Sequence, residues 1–188
     1  MNVRAGEPHR SGLWPLAPLI VFALVSLTVG VVARNSNGVV DPSDYLQLFF
    51  TDPIHLKVWF ASAAFVLACF QVATATAIYG RLRFLPRGRA VATTHRWSGR
   101  LAILLTLPVA YHCIFLLGYG DYTTRVTVHS LLGSAIYGAF IAKVLIVRGG
   151  NRIPGWELPV AGGILFAILL GLWLTSALWF FNNVEIGL

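Results

Sequence analysis

Charge is what this sequence has least of. Of its 188 residues 11% are charged, against roughly 25% in soluble globular domains, and 57% are hydrophobic. A soluble core cannot absorb that excess. Two cysteines exclude a disulfide framework, and since Cys69 and Cys113 both fall inside apolar runs they read as small buried hydrophobes. No nucleotide-binding loop, hydrolytic triad or flavin domain is present, so any reductase activity would need a partner. Internal repeats and low-complexity tracts are absent as well.

What remains is hydrocarbon in long runs. Five apolar segments, Pro15–Ala33, Ile54–Gly80, Thr94–Gly118, Thr124–Val147 and Pro159–Phe181, are each at or near the ~20 residues that cross a bilayer as helix. The expected fold is an all-α integral membrane up-down helical bundle with five transmembrane helices. It forms a single transmembrane domain over 1–188, with the first helix peripheral and the other four forming the core. The first segment has Arg4 and Arg10 before it, and Val31, Val32 and Ala33 loosely match a cleavage site. Its apolar run nevertheless exceeds the ~7–15 residues of a signal peptide, so it reads as an uncleaved anchor.

Basic residues set the orientation. With the N-terminus inside, Arg4, Arg10, Arg81, Arg83, Arg87, Arg89, Arg96, Arg100, Lys143, Arg148 and Arg152 fall on the cytoplasmic side, and Arg34, Lys57 and Arg125 on the other. The positive-inside rule is met. The acidic Asp41, Asp44, Asp52, Asp121 and Glu185 fall outside. A net charge of +7 placed beside span ends reads as topology and contact with anionic lipid, not nucleic acid. The expected location is the plasma membrane, with the C-terminus extracytoplasmic. Trp97 and Trp156 near the inner boundary, and Trp59, Trp173, Trp179, Phe180 and Phe181 near the outer one, fit interfacial aromatic belts.

One connection is long, "RNSNGVVDPSDYLQLFFTDP", with turn residues flanking a short apolar stretch. It suits an amphipathic surface segment or a partner contact. The others are short and should make consecutive helices antiparallel neighbours.

Histidine is rare inside membrane spans, where it faces the bundle interior as a ligand, proton carrier or hydrogen-bonding group. Here His95, His112 and His129 lie in or at the edges of the third and fourth spans, and His55 opens the second. The segment "TDP" before it offers Asp52 or Thr51 as helix cap and Pro53 in the first turn. His9 sits in a polar tail. From His95 to His112 a helix rises about 26 Å, so His95 is near the inner face and His112 in the outer leaflet. His112 and His129 are nearly equidistant from the turn at Gly120 and Asp121 and should share one depth, with His55 closer to the headgroups. Paired imidazoles at one depth suit a b-type haem, whose iron takes an axial nitrogen from each face. The motif H-x-x-x-G, in "HRWSG" and "HSLLG", places Gly99 and Gly133 one turn beyond His95 and His129, with room for a flat ring; small residues also let helices approach closely. The expected iron ligands are His112 and His129, with His55 as substitute ligand or propionate partner. The diagonal pair His55 and His129 is the alternative. His95, with Arg96 and Arg100, suits haem propionates or a quinone carbonyl.

"HRWSG" resembles membrane cytochrome b proteins of the ferric-reductase and ascorbate-reducible type, and "THRWSG" resembles the H-R-x-S/T-G element near the quinone site of succinate dehydrogenase membrane anchors. "HLKVWFA", "HRWSGRLAILLTLPVAYHC", "VHSLLGSAIYGAFIAKV" and "LPVAGGILFAILLGLWLTSALWFF" resemble an uncharacterised bacterial family of small five-helix membrane proteins, a domain of unknown function. That resemblance covers nearly the whole chain after Asp52. It implies the five-helix fold and no activity. The chain lacks the regular pair of histidines on each of two helices found in two-haem cytochromes, so one haem is expected.

These readings lead to a multi-pass b-type haem protein. It would transfer electrons between quinone and an outward-facing partner, a redox subunit or an extracytoplasmic electron carrier. A cofactor-free membrane anchor or assembly subunit, and a non-haem metal site at the outer leaflet, are the alternatives. The orientation is directly checkable. A reporter fused after Leu188 should report the outer compartment and one inserted between Pro86 and Arg87 the cytoplasm; the reverse pattern would overturn every depth assignment.

Overall fold

Backbone in hydrocarbon must satisfy its own hydrogen bonds, and runs of this length do so as helices. The computed structural model describes residues 14–36, 41–81 and 88–183; His9, Arg4, Arg10, Arg83, Arg87 and Glu185 lie outside them. Among the described residues, five helical stretches are long and apolar enough to span a membrane. They are α1 (Ala17–Asn35), α2 (Pro53–Ile78), α3 (Arg89–Tyr111), α4 (Thr124–Gly149) and α5 (Glu157–Trp173), the last extended by a short α6 (Trp179–Asn183). The five-helix membrane bundle expected from hydropathy is the architecture found. The end that carries the starts of α2 and α4 is called outer, following the charge-based orientation.

Local chemistry explains most of the boundaries. Asp52 caps α2, its Oδ1 accepting from the N–H groups of Ile54 at 2.7 Å and His55 at 2.9 Å, with Pro53 in the first turn. Thr123 caps α4 through the Val126 N–H. α3 begins at Arg89, five residues before the expected Thr94. The start is set by Gly88, at φ 133°, a conformation that favours glycine. Arg89, Thr93 and Thr94 lower the hydropathy of the first turns without breaking the helix.

Two π-helical turns, neither expected, interrupt the outer ends. Pro108 lies inside α3 and cannot donate to the carbonyl four residues earlier. One turn on, His112–Leu116 widens into a π turn closed by the Leu117 N–H on the His112 carbonyl at 2.8 Å. The second, Leu174–Leu178, follows α5. There Thr175 and Ser176 hydroxyls donate to the Gly171 and Leu172 carbonyls, a back-bonding that bends helices.

Packing joins α2 to α3 and α5, α5 to α4, and α4 to α1. α3 and α4, despite their short connection, are not a closely packed pair. Their link at mid-depth is polar: the Tyr137 hydroxyl meets Thr106 Oγ1 at 3.0 Å. α1 lies against α4 and also touches 112–116. The Arg34–Asp121 ion pair at 2.7 Å and the Tyr119 N–H on the Ala33 carbonyl at 3.0 Å fix its outer end. Ile136, Ala139 and Ile168 form a core between α4 and α5, with Phe22 of α1 packed on it. Trp173, expected in the outer belt, instead stacks on Phe65 at 4.7 Å and donates to Ser62 at 3.1 Å, within the α2–α5 interface. Trp59, Trp97, Trp156 and Trp179 are exposed, as a belt requires.

Close approach of α1 and α4 depends on Gly138. A Cβ there would lie 2.6 Å from the Phe22 carbonyl oxygen, a backbone atom unable to yield. Gly138→Ala should therefore cost about 1–3 kcal/mol, read as a lowered thermal midpoint in detergent. Gly163→Ala, with nothing within 4 Å of the new methyl, should be neutral or slightly stabilising. Equal effects of the two substitutions would refute this account of the interface.

Candidate site at the outer end of the bundle

His129 lies in the second turn of α4, and its Nδ1 is 2.9 Å from the Thr175 hydroxyl oxygen. That hydroxyl has one proton, and it goes to the Gly171 carbonyl at 2.7 Å. Thr175 Oγ1 must therefore accept, so His129 Nδ1 carries the hydrogen and Nε2 the lone pair. His129 makes no other hydrogen bond among the described residues. This is the tautomer a metal ligand uses, with its second nitrogen held by a partner. Arg125, one turn earlier, donates to the Thr175 carbonyl at 2.6 Å and lies over the Trp179 ring at 4.1 Å. The π turn and the histidine are thus tied together at two points. Beside Gly133 a Cβ would meet a single atom within 4 Å, Leu172 Cδ2 at 3.9 Å.

His55 shows the same pattern by a different route. Its Nδ1 is bound to Asp52 Oδ2, the other oxygen of the residue that caps α2. Nε2 makes no hydrogen bond among the described residues, and the ring stands edge-on to Phe180 at 6.0 Å. Helices α2 and α4 both pack on α5, whose outer extension touches both imidazoles, through Thr175 and Phe180.

His112 differs. It is fully buried, at 0% exposure, and its Nε2 accepts the Leu46 backbone N–H at 3.0 Å. The Tyr45 ring stacks on it at 5.7 Å, and the Tyr111 hydroxyl donates to the Asp44 carbonyl at 3.3 Å. The long connection is pinned over the end of α3 by this imidazole. The nitrogen expected to hold iron is therefore occupied, and the hydrogen sits on Nδ1, which has no partner among the described residues.

At the inner end, His95 Nδ1 donates to Thr74 Oγ1 at 2.7 Å, since that hydroxyl already serves the Phe70 carbonyl at 2.9 Å. Gln71 bonds the His95 carbonyl at 2.5 Å and Ser98 Oγ at 2.7 Å. Its amide also fills the space beside Gly99, 3.0 Å from where a Cβ would be. Gly99 accommodates Gln71, not a ring. Arg96 bonds Thr93 at 3.2 Å and Arg100 lies over Trp97 at 4.8 Å, both exposed. They are not gathered around His95. The sequence reading missed Thr74, Gln71, Thr175 and Arg125; hydroxyls and an amide inside otherwise apolar runs were the available signal.

Residues 15–188 match a family described as a family of unknown function (DUF6529). The chain belongs to that family. No curated protein matches the chain and no solved structure does, and no resemblance to membrane cytochromes is shown by these comparisons. Among the described residues, no three His, Cys, Asp or Glu side chains are grouped to hold a metal ion by themselves.

Asp52 serves the cap and His55 at once. Accepting the His55 backbone N–H, with further support from the imidazole and the Ile54 N–H, holds its carboxyl below the usual carboxylate range. A lowered folded-state value means stability present above the ordinary carboxylate range and lost as acid protonates the group. Asp52→Ala should cost about 1 kcal/mol at pH 7, and the difference from wild type should shrink on acidification below pH ~4. A pH-independent difference in thermal midpoint would refute the charge's part in the cap.

Proposed function

We propose that the chain is a membrane b-type haem protein carrying electrons between quinone and an outward-facing redox partner, with the haem at the outer end of the bundle. The observation that carries this reading is the His129 tautomer: Nδ1 committed to Thr175, and Nε2 left with a lone pair and no hydrogen-bond partner among the described residues. A site with two imidazoles suits a macrocycle that supplies four nitrogens of its own, whereas a bare zinc ion takes three or four protein ligands.

The residues that would hold the group are His129 of α4 and His55 of α2. They are favoured over His112 because both leave Nε2 available, whereas His112 gives its Nε2 to Leu46. When bound, the haem supplies a one-electron couple. The chain's part is to orient: Thr175 fixes the His129 ring, Asp52 fixes His55, and the apolar helices exclude water. With no flavin or nucleotide site in the sequence, donor and acceptor are other molecules.

Two histidines behave as interhelical or loop hydrogen-bonding groups, His95 toward Thr74 and His112 toward Leu46. They favour the second reading, a cofactor-free anchor or assembly subunit. A reduced-minus-oxidised absorption spectrum of protein expressed with ample haem separates the two. A b-type band is expected, abolished by His129→Ala and by His55→Ala and retained by His112→Ala. Thr175→Val should weaken haem affinity by roughly 10–100-fold. Absence of the band in wild type would reject the haem reading. Its loss in His112→Ala with retention in His55→Ala would restore the His112–His129 pair.

A further inference from the structure

A cavity far from the outer histidines has no part in the site described above. It lies between the inner ends of α2 and α3 and holds about 280 Å³. Phe70, Ala73, Thr74 and Ala77 line one side, and Ala90, Val91 and Thr94 the other. The Thr74–His95 hydrogen bond fixes the register of the two antiparallel helices. Ala77, Ala90 and Val91 therefore stand at the inner mouth and Phe70 at the deep end. From Ala77 to Phe70 the helix rises about 10 Å, so the space runs along the bilayer normal. Phe70, Ala90 and Thr94 are exposed, which opens it on the surface of the helix pair.

Its walls are hydrocarbon apart from two hydroxyls. Thr74 Oγ1 is committed, donating to the Phe70 carbonyl and accepting from His95. The Thr94 hydroxyl makes no hydrogen bond among the described residues; only its backbone carbonyl is used, by Ser98. That leaves one free donor, about 6 Å deeper than Ala90. A quinone ring, with carbonyls on opposite edges, would find one partner and lack the second. A hydrocarbon chain carrying one carbonyl is matched throughout.

Charge at the mouth decides what that chain belongs to. Arg89 immediately precedes Ala90 at the start of α3, and Arg81 follows the end of α2. Both are exposed, with no side-chain hydrogen bond or ion pair among the described residues. The sequence from 81 to 89 carries four arginines and no acid. Guanidinium is suited to phosphate, and basic clusters at the cytoplasmic ends of spans attract anionic headgroups.

We propose that this cavity binds one anionic phospholipid. An acyl chain lies along Phe70, Ala73 and Ala77, an ester carbonyl accepts from the Thr94 hydroxyl, and the phosphate is held at the mouth by Arg81 and Arg89. Charge, then a single donor, then hydrocarbon is the order of groups met on going inward, and it is the order of the same groups in a phospholipid. The site is independent of the haem reading.

Native mass spectrometry of the full chain in detergent, titrated with phosphatidylglycerol or with phosphatidylcholine of the same acyl chains, reads the affinity of the first bound lipid. Wild type should prefer phosphatidylglycerol by about fivefold for each arginine engaged. The double variant Arg81→Gln, Arg89→Gln should bind the two lipids equally. Arg148→Gln, which removes an exposed arginine from the last turn of α4, should keep the preference. Ala73→Phe, filling the cavity, should weaken the first copy of either lipid by about tenfold, the loss of two buried methylene groups. Thr94→Phe fills the same space from an exposed position and decides the matter if Ala73→Phe does not fold. Inorganic phosphate, the anion without the chain, should not displace the lipid. Loss of the preference in Arg148→Gln to the same extent, unchanged binding in the filled variants, or displacement by inorganic phosphate would each overturn the site. If phosphatidylglycerol is not preferred and a short-chain benzoquinone binds wild type but not the filled variants, the occupant is a quinone and the lipid assignment fails.

Discussion

The hydroxyl of a helical threonine in a membrane has one proton to give, and the nearest acceptor is the carbonyl a turn behind it. Once Thr175 and Thr74 have made that bond, each can only accept from a neighbour, and each neighbour is a histidine on another helix. This constraint sets His129 and His95 in the Nδ1–H form and leaves a lone pair on Nε2. In hydrocarbon, where no water can step in, the arrangement is both interhelical glue and a way of presenting a ligand nitrogen at a chosen depth.

The two ends of the bundle use the device differently. At the inner end the polar residues close on each other: Gln71, Thr74, His95 and Ser98 are joined by four hydrogen bonds counting those to the His95 carbonyl, and Gly99 admits the Gln71 amide. With the Thr74 hydroxyl also reaching the Gln71 carbonyl at 3.2 Å, a fifth bond, this is a knot between α2 and α3. The outer end is open by comparison. His129 and His55 each have one nitrogen engaged, and His112 Nδ1 lacks a partner among the described residues. His95, like His129, keeps Nε2 free among the described residues; what separates the two ends is the bracing of the inner one by Gln71 and Ser98.

Both π turns lie at the outer end, and each is tied to a histidine. One begins at His112 and the other contains Thr175. A π turn inserts a residue into the helical ladder and re-aims the side chains beyond it, and such turns are frequent at functional sites. Here the second of them frees the Thr175 carbonyl to accept from Arg125, so the backbone irregularity and the imidazole are held by the same short segment. α1, packed on α4 through Gly138 and tied by Arg34 to Asp121, buttresses the helix that carries His129.

Length and composition alone determined the five membrane helices, because a bilayer demands about twenty apolar residues and a hydrogen-bonded backbone whatever the neighbours are. Local chemistry was legible too: Asp52 and Pro53 mark the start of α2 because capping is settled within four residues. Partner choice was not. That α1 lies on α4, that α3 and α4 stand apart, that Gly99 faces an amide and Gly133 a leucine methyl, and that His112 surrenders Nε2 to the Leu46 backbone are matters of contact between residues as distant in sequence as Phe22 and Gly138 or His55 and Phe180. Histidine spacing gives depth along one helix but not rotation about it, and it cannot tell which nitrogen already has a partner. Only the packed bundle decides that, because a hydrogen bond between helices depends on which faces meet.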